Sequence, residues 1–338
     1  MAPLSEVLSM LSGQAFGRVS LPELQLAGQT IIVTGANTGL GLACAKHLAR
    51  NHASHIILAC RNITKGRKSL ESIVQETNCH PHTKLSVWEL ELSNYKSVLS
   101  FGERVRNELP RLDAFIANAG MELQDYRQAE GLEIHLTVNV VSTFLSAISV
   151  LPKLRSTAKD HNVNTTLTFC GSMYHIFGPD MEFDKGLSHD VDMFDALSTS
   201  DPAKTDIVWR YALSKLMVHQ CFHQLVAAMA NGDWACVVVN LINPGWCGTE
   251  LSRAKPHPIG ERVCFALLGW TAEKGSRMYM YALDAGPSSH GKYLSESQHK
   301  VESQFVRSER GRSIEVKAWR DLMGRLGKIA PDVIGCLC

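Results

Sequence analysis

From Gly28 onward, short apolar runs rich in β-branched residues alternate with longer stretches whose apolar positions recur at helical spacing. The first kind predicts strands at Thr30–Thr34, His55–Cys60, Leu85–Leu92, Leu112–Ala117, Thr165–Cys170 and Ala235–Leu241, with a shorter one at Gly291–Ser295. The second predicts helices at Gly41–Asn51, Thr64–Glu76, Lys96–Glu108, Leu132–Arg155 and Val208–Ala230. Strands that are apolar at successive positions belong to a parallel sheet covered on both faces, and right-handed crossovers then give an α/β, doubly wound Rossmann fold.

The pattern divides the chain into a leader (1–27), one catalytic-sized domain (28–296) and a helical extension with a tail (297–338). In the leader, Leu4, Val7, Leu8 and Leu11 predict a short amphipathic turn, and in the extension Ser313–Leu326 predicts a closing helix. Residues 178–206 form an acidic excursion with interspersed apolar residues, too long for a plain connection and expected to act as a flap. The region Leu251–Trp270 is a second expected lid.

Composition narrows the function classes. In 338 residues, 45% are hydrophobic and 20% charged, which excludes a largely disordered chain. Lys and Arg number 34 against 33 Asp and Glu, so nothing draws the chain toward nucleic acid. Apolar runs such as Cys264–Trp270 are too short to cross a bilayer, and no transmembrane segment or signal peptide is expected. Ten scattered cysteines without a CxxC pair predict buried thiols in a reducing, cytoplasmic setting. His219 and His223 have the spacing of a metal pair but lack a third ligand, so no metal is expected.

The chemistry-bearing positions fall at the carboxyl ends of the predicted strands. Gly35-Ala-Asn37-Thr38-Gly39-Leu40-Gly41 joins the first strand to the first helix, where glycines and free amides can approach a pyrophosphate. The second strand ends in Arg61, with Lys65 beyond it, where an acid would select a free ribose; a guanidinium suits a 2′-phosphate, hence NADP(H). Tyr211 and Lys215 share a helix face, and a neighbouring ammonium is expected to lower the phenol's pKa. That spacing alone is cheap; its context is Asn118-Ala119-Gly120, Asn139, Ser172 and Asn243-Pro244-Gly245 in order along the chain.

With that ordered set in place, residues 28–327 resemble the short-chain dehydrogenases/reductases. Within them the retinol-dehydrogenase-like branch is most similar, including reductases of fungal secondary metabolism, through Ala59–Gly66, Leu90–Ser93, Tyr211–Leu216 and the Trp319-bearing tail. The resemblance implies Tyr211 as general acid/base, Ser172 as hydrogen-bond donor to the substrate oxygen, Lys215 on the nicotinamide ribose, and Asn139 as anchor of a relay water. It places Asn118, Ala119 and Gly120 along the cofactor, Glu91 and Leu92 near adenine, and Pro244, Gly245 and Thr249 near the nicotinamide. Departures from the family pattern are Ala117 for the first Asn of its Asn-Asn-Ala-Gly, Glu91 for Asp, Gly171 before Ser172, and a long Ser172–Tyr211 interval.

Met121, Met173, Tyr174, His175, Trp246 and Cys247 are expected to line an apolar substrate pocket. The expectation is an NADPH-dependent carbonyl reductase or alcohol dehydrogenase on a lipophilic small molecule, with a homodimer left open. Two other readings stay open: a redox-neutral isomerase or cyclase on the same scaffold, and a nucleotide-sensing binding protein.

Overall fold

The computed structural model describes residues 2–178, 191–198, 207–230, 232, 234, 236–248, 251, 259–335 and 337. The alternation predicted above is realised. The principal strands are β1 (Thr30–Thr34), β2 (His55–Cys60), β3 (Lys84–Glu89), β4 (Ala114–Ala117), β5 (Thr165–Cys170), β6 (Val237–Asn243), β7 (Tyr293–Ser295) and β8 (Gln298–His299). They order as β8-β7-β6-β5-β4-β1-β2-β3. Every neighbouring pair is parallel except the terminal β7/β8 pair. All of β1, β4 and β6 is buried, as strands covered on both faces must be.

The helices are α1 (Leu4–Phe16), α2 (Gly39–Arg50), α3 (Ile63–Thr77), α4 (Tyr95–Glu108), α5 (Thr143–His161), α6 (Met193–Ser198), α7 (Ile207–Met229), α8 (Ile259–Leu268), α9 (Ala272–Asp284), α10 (Gln304–Arg307), α11 (Glu309–Ile329) and α12 (Pro331–Ile334). Asn62, Asn94 and Ser308 start α3, α4 and α11 by accepting a hydrogen bond from the amide three residues on. One core holds Phe101, Phe115, Phe144, Phe169 and Phe222, and the C-terminal extension joins it through Ile314, Ala318 and Leu322. The opposite face is closed by Cys44 and Leu48 from α2 and by Met278 and Tyr279 from α9.

Four features differ from the pattern-based expectation. The leader forms a 13-residue helix rather than a turn. The predicted helix Leu132–Arg155 opens as a two-residue strand and a π-helical segment, Leu136–Ser142, and then runs to His161. Its stretch 136–161 is long and apolar enough to cross a membrane, but 89% of the window is buried inside the protein, the position of a core helix. Helix α9 was not predicted: Gly275 and the run Met278–Tyr281 weaken its helical signal, and its packing against α2 supplies what propensity lacks. Of the cysteines, Cys44, Cys60 and Cys221 are buried as expected, whereas Cys236 and Cys264 are exposed. Cys336 and Cys338 lie outside the described residues.

The excursion is described only at residues 178 and 191–198. There Met193, Phe194 and Leu197 are fully buried, and Arg325 of α11 grips Asp192 and Asp195 at 2.7 and 2.6 Å. This part is anchored in the core through Met193, Phe194 and Leu197, while Val191 and Asp195 stay exposed to water. The rest of the excursion lies outside the described residues.

Candidate active site

A cleft of about 620 Å³ runs along the carboxyl ends of the strands and gathers most of the predicted site residues. At one end lie Gly35, Asn37, Thr38, Gly39, Leu40, Arg61, Lys65, Glu91 and Leu92. At the other lie Ser172, Tyr174, Tyr211, Lys215, Pro244, Gly245, Trp246 and Cys247, with Asn118, Ala119, Gly120 and Met121 between them. Thr249 lies outside the described residues, as does most of the segment between Cys247 and α8.

The glycine turn passes a test of fit for a dinucleotide. Gly35 has φ +66°, a left-handed conformation that side chains resist. A Cβ on Gly41 would stand 2.6 Å from both Asn118 Nδ2 and Gly35 O, so only glycine lets the turn close this tightly. Thr38 begins α2 without a capping side chain, leaving the helix-start amides for a ligand. Asn118 itself braces the turn: its Nδ2 donates to Thr34 O at 2.7 Å and its Oδ1 accepts from Tyr279 at 2.6 Å.

Arg61 stands at the rim with its side chain 71% exposed, its Nε 3.4 Å from Glu91 Oε2. The acid expected near adenine is thus engaged by Arg61 and by Ser93, whose amide and hydroxyl both donate to it. Lys65 also reaches the cleft from the first turn of α3.

At the other end, Tyr211 is 8% exposed with Ser172 beside it, and Ser172 Oγ accepts from Tyr174 N at 3.1 Å. Lys215 Nζ donates to Cys170 O at 2.8 Å and lies 5.7 Å from the Tyr211 ring centre. The expected pKa effect is reversed in this cleft. Burial pushes the Tyr211 hydroxyl well above its ordinary value, reinforced by Cys170 and Glu122 and opposed by the neighbouring Ser172 side chain. Burial likewise lowers the Lys215 ammonium, so desolvation outweighs the attraction on which the expectation relied.

Three predicted residues stand behind the cleft rather than in it. Asn139 exchanges hydrogen bonds with both backbone atoms of Met121, at 2.9 and 3.0 Å, and donates to Ser214 at 2.9 Å, so its amide is spent on scaffold. Met173 is turned inward by the 3-10 turn that Ser172 caps. His175 is buried against His219, with rings 4.0 Å apart, because both ring nitrogens are engaged by backbone at Ser172 and Ser303. Met173 and His175 therefore do not form substrate pocket.

Sequence reasoning missed Tyr279, Glu122 and Gln14. Tyr279 and Gln14 come from elements far away in the chain that meet the cleft only through tertiary packing, and no local motif marks them. Glu122, two residues beyond the Asn-Ala-Gly motif, had that motif as its signal.

A family model described as short chain dehydrogenase matches residues 29–173. The chain is 36% identical over 328 residues to short chain dehydrogenase/reductase dmxR8 of Cryptosporiopsis sp., covering 96% of this chain and 99% of the relative. This chain belongs to the short-chain dehydrogenase/reductase family. Membership makes it an oxidoreductase of a family that uses nicotinamide cofactors. Short chain dehydrogenase FGM9 of Gibberella zeae is 33% identical, covering 94% of this chain and 91% of that relative. Among solved structures, a short chain dehydrogenase of Shigella flexneri complexed with NADP is similar in fold, with TM-score 0.57 and 21% identity over 82% of this chain and 100% of that one. The oxidoreductase yciK of E. coli is similar, with TM-score 0.58 and 21% identity over 83% of this chain and 99% of that one.

Proposed function

We propose that this short-chain dehydrogenase/reductase is an NADPH-dependent carbonyl reductase acting on a lipophilic ketone or aldehyde, or in reverse on the corresponding alcohol. The observation that carries the reading is that Tyr211, Ser172 and Lys215 line one end of a cleft whose other end offers Arg61 and Lys65. A guanidinium and an ammonium at that far end favour a 2′-phosphorylated ribose, and the NADP complex of the Shigella flexneri relative in fold supports the same choice.

When bound, the reduced nicotinamide supplies the hydride. The residues of the chain do the remaining work. Ser172 and Tyr211 present hydroxyls to one carbonyl oxygen, polarising it and fixing its orientation. Tyr211 carries its proton in the buried site and donates it to that oxygen as the alcohol forms. The buried phenolate left behind is stabilised by the Lys215 ammonium, whose position is set by Cys170 O. Trp246, Tyr174 and Leu251 give the pocket apolar walls that exclude water.

The test is a panel of aromatic and aliphatic ketones and aldehydes, followed by loss of NADPH absorbance with NADH in parallel. Turnover with NADPH supports the reading. Tight NADPH binding without consumption by any member favours the sensing protein instead.

A further inference from the structure

Outside the cleft, a chain of titratable side chains is buried between α7 and the C-terminal extension. His219 Nδ1 lies 2.5 Å from Glu302 Oε1, and His223 Nε2 lies 2.6 Å from Glu302 Oε2. His223 Nδ1 then meets Glu315 Oε2 at 3.1 Å. Burying such groups is costly unless each is paired, and a chain that serves only packing could use apolar residues instead. The inner end of the chain points to a use.

His219 stacks on His175, with ring centres 4.0 Å apart and planes 19° from parallel. His175 Nδ1 lies 2.8 Å from Ser172 O, and its Nε2 accepts from Ser303 N at 3.2 Å. An acceptor role at Nε2 requires the proton on Nδ1, so His175 is fixed as the tautomer that donates to Ser172 O. We propose that His219, anchored on Glu302, is a positioning residue for Ser172, acting through the stacked ring of His175. This rests on the reading of Ser172 given above.

Gly171 is part of the arrangement. A Cβ there would stand 3.0 Å from His219 Nε2, so the departure from the family pattern before Ser172 makes room for this ring. The proposal also assigns work to the C-terminal extension, which supplies Glu302, Ser303 and Glu315.

The test uses the full chain with NADPH and the best carbonyl of the panel. His219→Ala, which leaves His175 without its ring partner, is expected to lower kcat roughly 10- to 100-fold with the KM for NADPH within about twofold. His219→Phe restores a flat ring beneath His175 and is expected to recover most of that loss. Should the Ala variant fail to fold, Glu302→Gln, which keeps the side-chain shape, is expected to lower kcat roughly 3- to 10-fold with the same split. A crystal structure of the Ala or Gln variant is expected to show Ser172 displaced relative to Tyr211, a readout independent of turnover. Unchanged kcat and an undisplaced Ser172 in these variants overturn the inference. Tyr211→Phe in the same assay separates the two ideas, because retained activity there defeats the reading of the site itself.

Discussion

The amide of Gln14 binds the backbone of Trp246 in both directions. Trp246 N donates to Gln14 Oε1 at 2.8 Å, and Gln14 Nε2 donates to Trp246 O at 3.2 Å and to Leu268 O at 2.7 Å. The indole of Trp270 adds a bond to Gln14 O at 2.8 Å. Gln14 is 3% exposed, so a residue from the leader is built into the wall behind the cleft. Gln14→Ala is expected to cost about 1–3 kcal/mol, because it strands a buried amide. It should also raise the KM for the carbonyl substrate, since Trp246 loses its support. Chemical denaturation and steady-state kinetics on the same preparation check both parts.

Arg61→Asp should abolish the preference for NADPH over NADH, because it places a carboxylate beside Glu91 where a 2′-phosphate would be bound. Comparing kcat/KM for the two cofactors is sufficient. Equal use of both by the unmodified protein would remove the basis for the cofactor choice.

Tyr211→Phe should lower kcat by about 10²-fold or more while leaving NADPH binding nearly unchanged, since only a proton carrier is lost. Lys215→Ala should reduce turnover and also weaken cofactor binding. Stopped-flow turnover and fluorescence titration separate the two effects.

Phe194→Ala should destabilise the fold by about 3–5 kcal/mol, because the ring is fully buried in the core shared with α11. A solvated flap would tolerate the change within about 0.5 kcal/mol. The midpoint of urea unfolding distinguishes them.

His223 gives stability a pH dependence. Its burial opposes the charged form, but Glu302 and Glu315 together raise its pKa to about 10 from an ordinary 6.5. Between those values the folded chain keeps a proton that the unfolded chain has released, so this stabilisation is full below about pH 6.5 and is lost as pH rises through about 10. Unfolding measured across that window should show stability falling, and His223→Gln should flatten the slope.

Much of this protein was determined by sequence alone. Runs such as Thr30–Thr34 are buried on both faces wherever they sit, so their apolar continuity announces a covered parallel sheet. The glycine turn was legible too, because Gly35 and Gly41 close on each other within one run of seven residues, although Asn118 from far along the chain completes the packing. The four-residue spacing of Tyr211 and Lys215 put both on one helix face for the same reason.

Tertiary structure alone decided what depends on residues far apart in the chain. Whether His175 enters the pocket or braces Ser172 is settled by Ser303 and His219, 128 and 44 positions away, and no local pattern encodes that meeting. The same holds for Gln14, a polar residue in an unremarkable leader until Trp246 and Leu268 come to rest against it. The direction of the Tyr211 shift also belongs to this class. Spacing brings an ammonium near the phenol, but the depth of burial, a property of the whole fold, outweighs it.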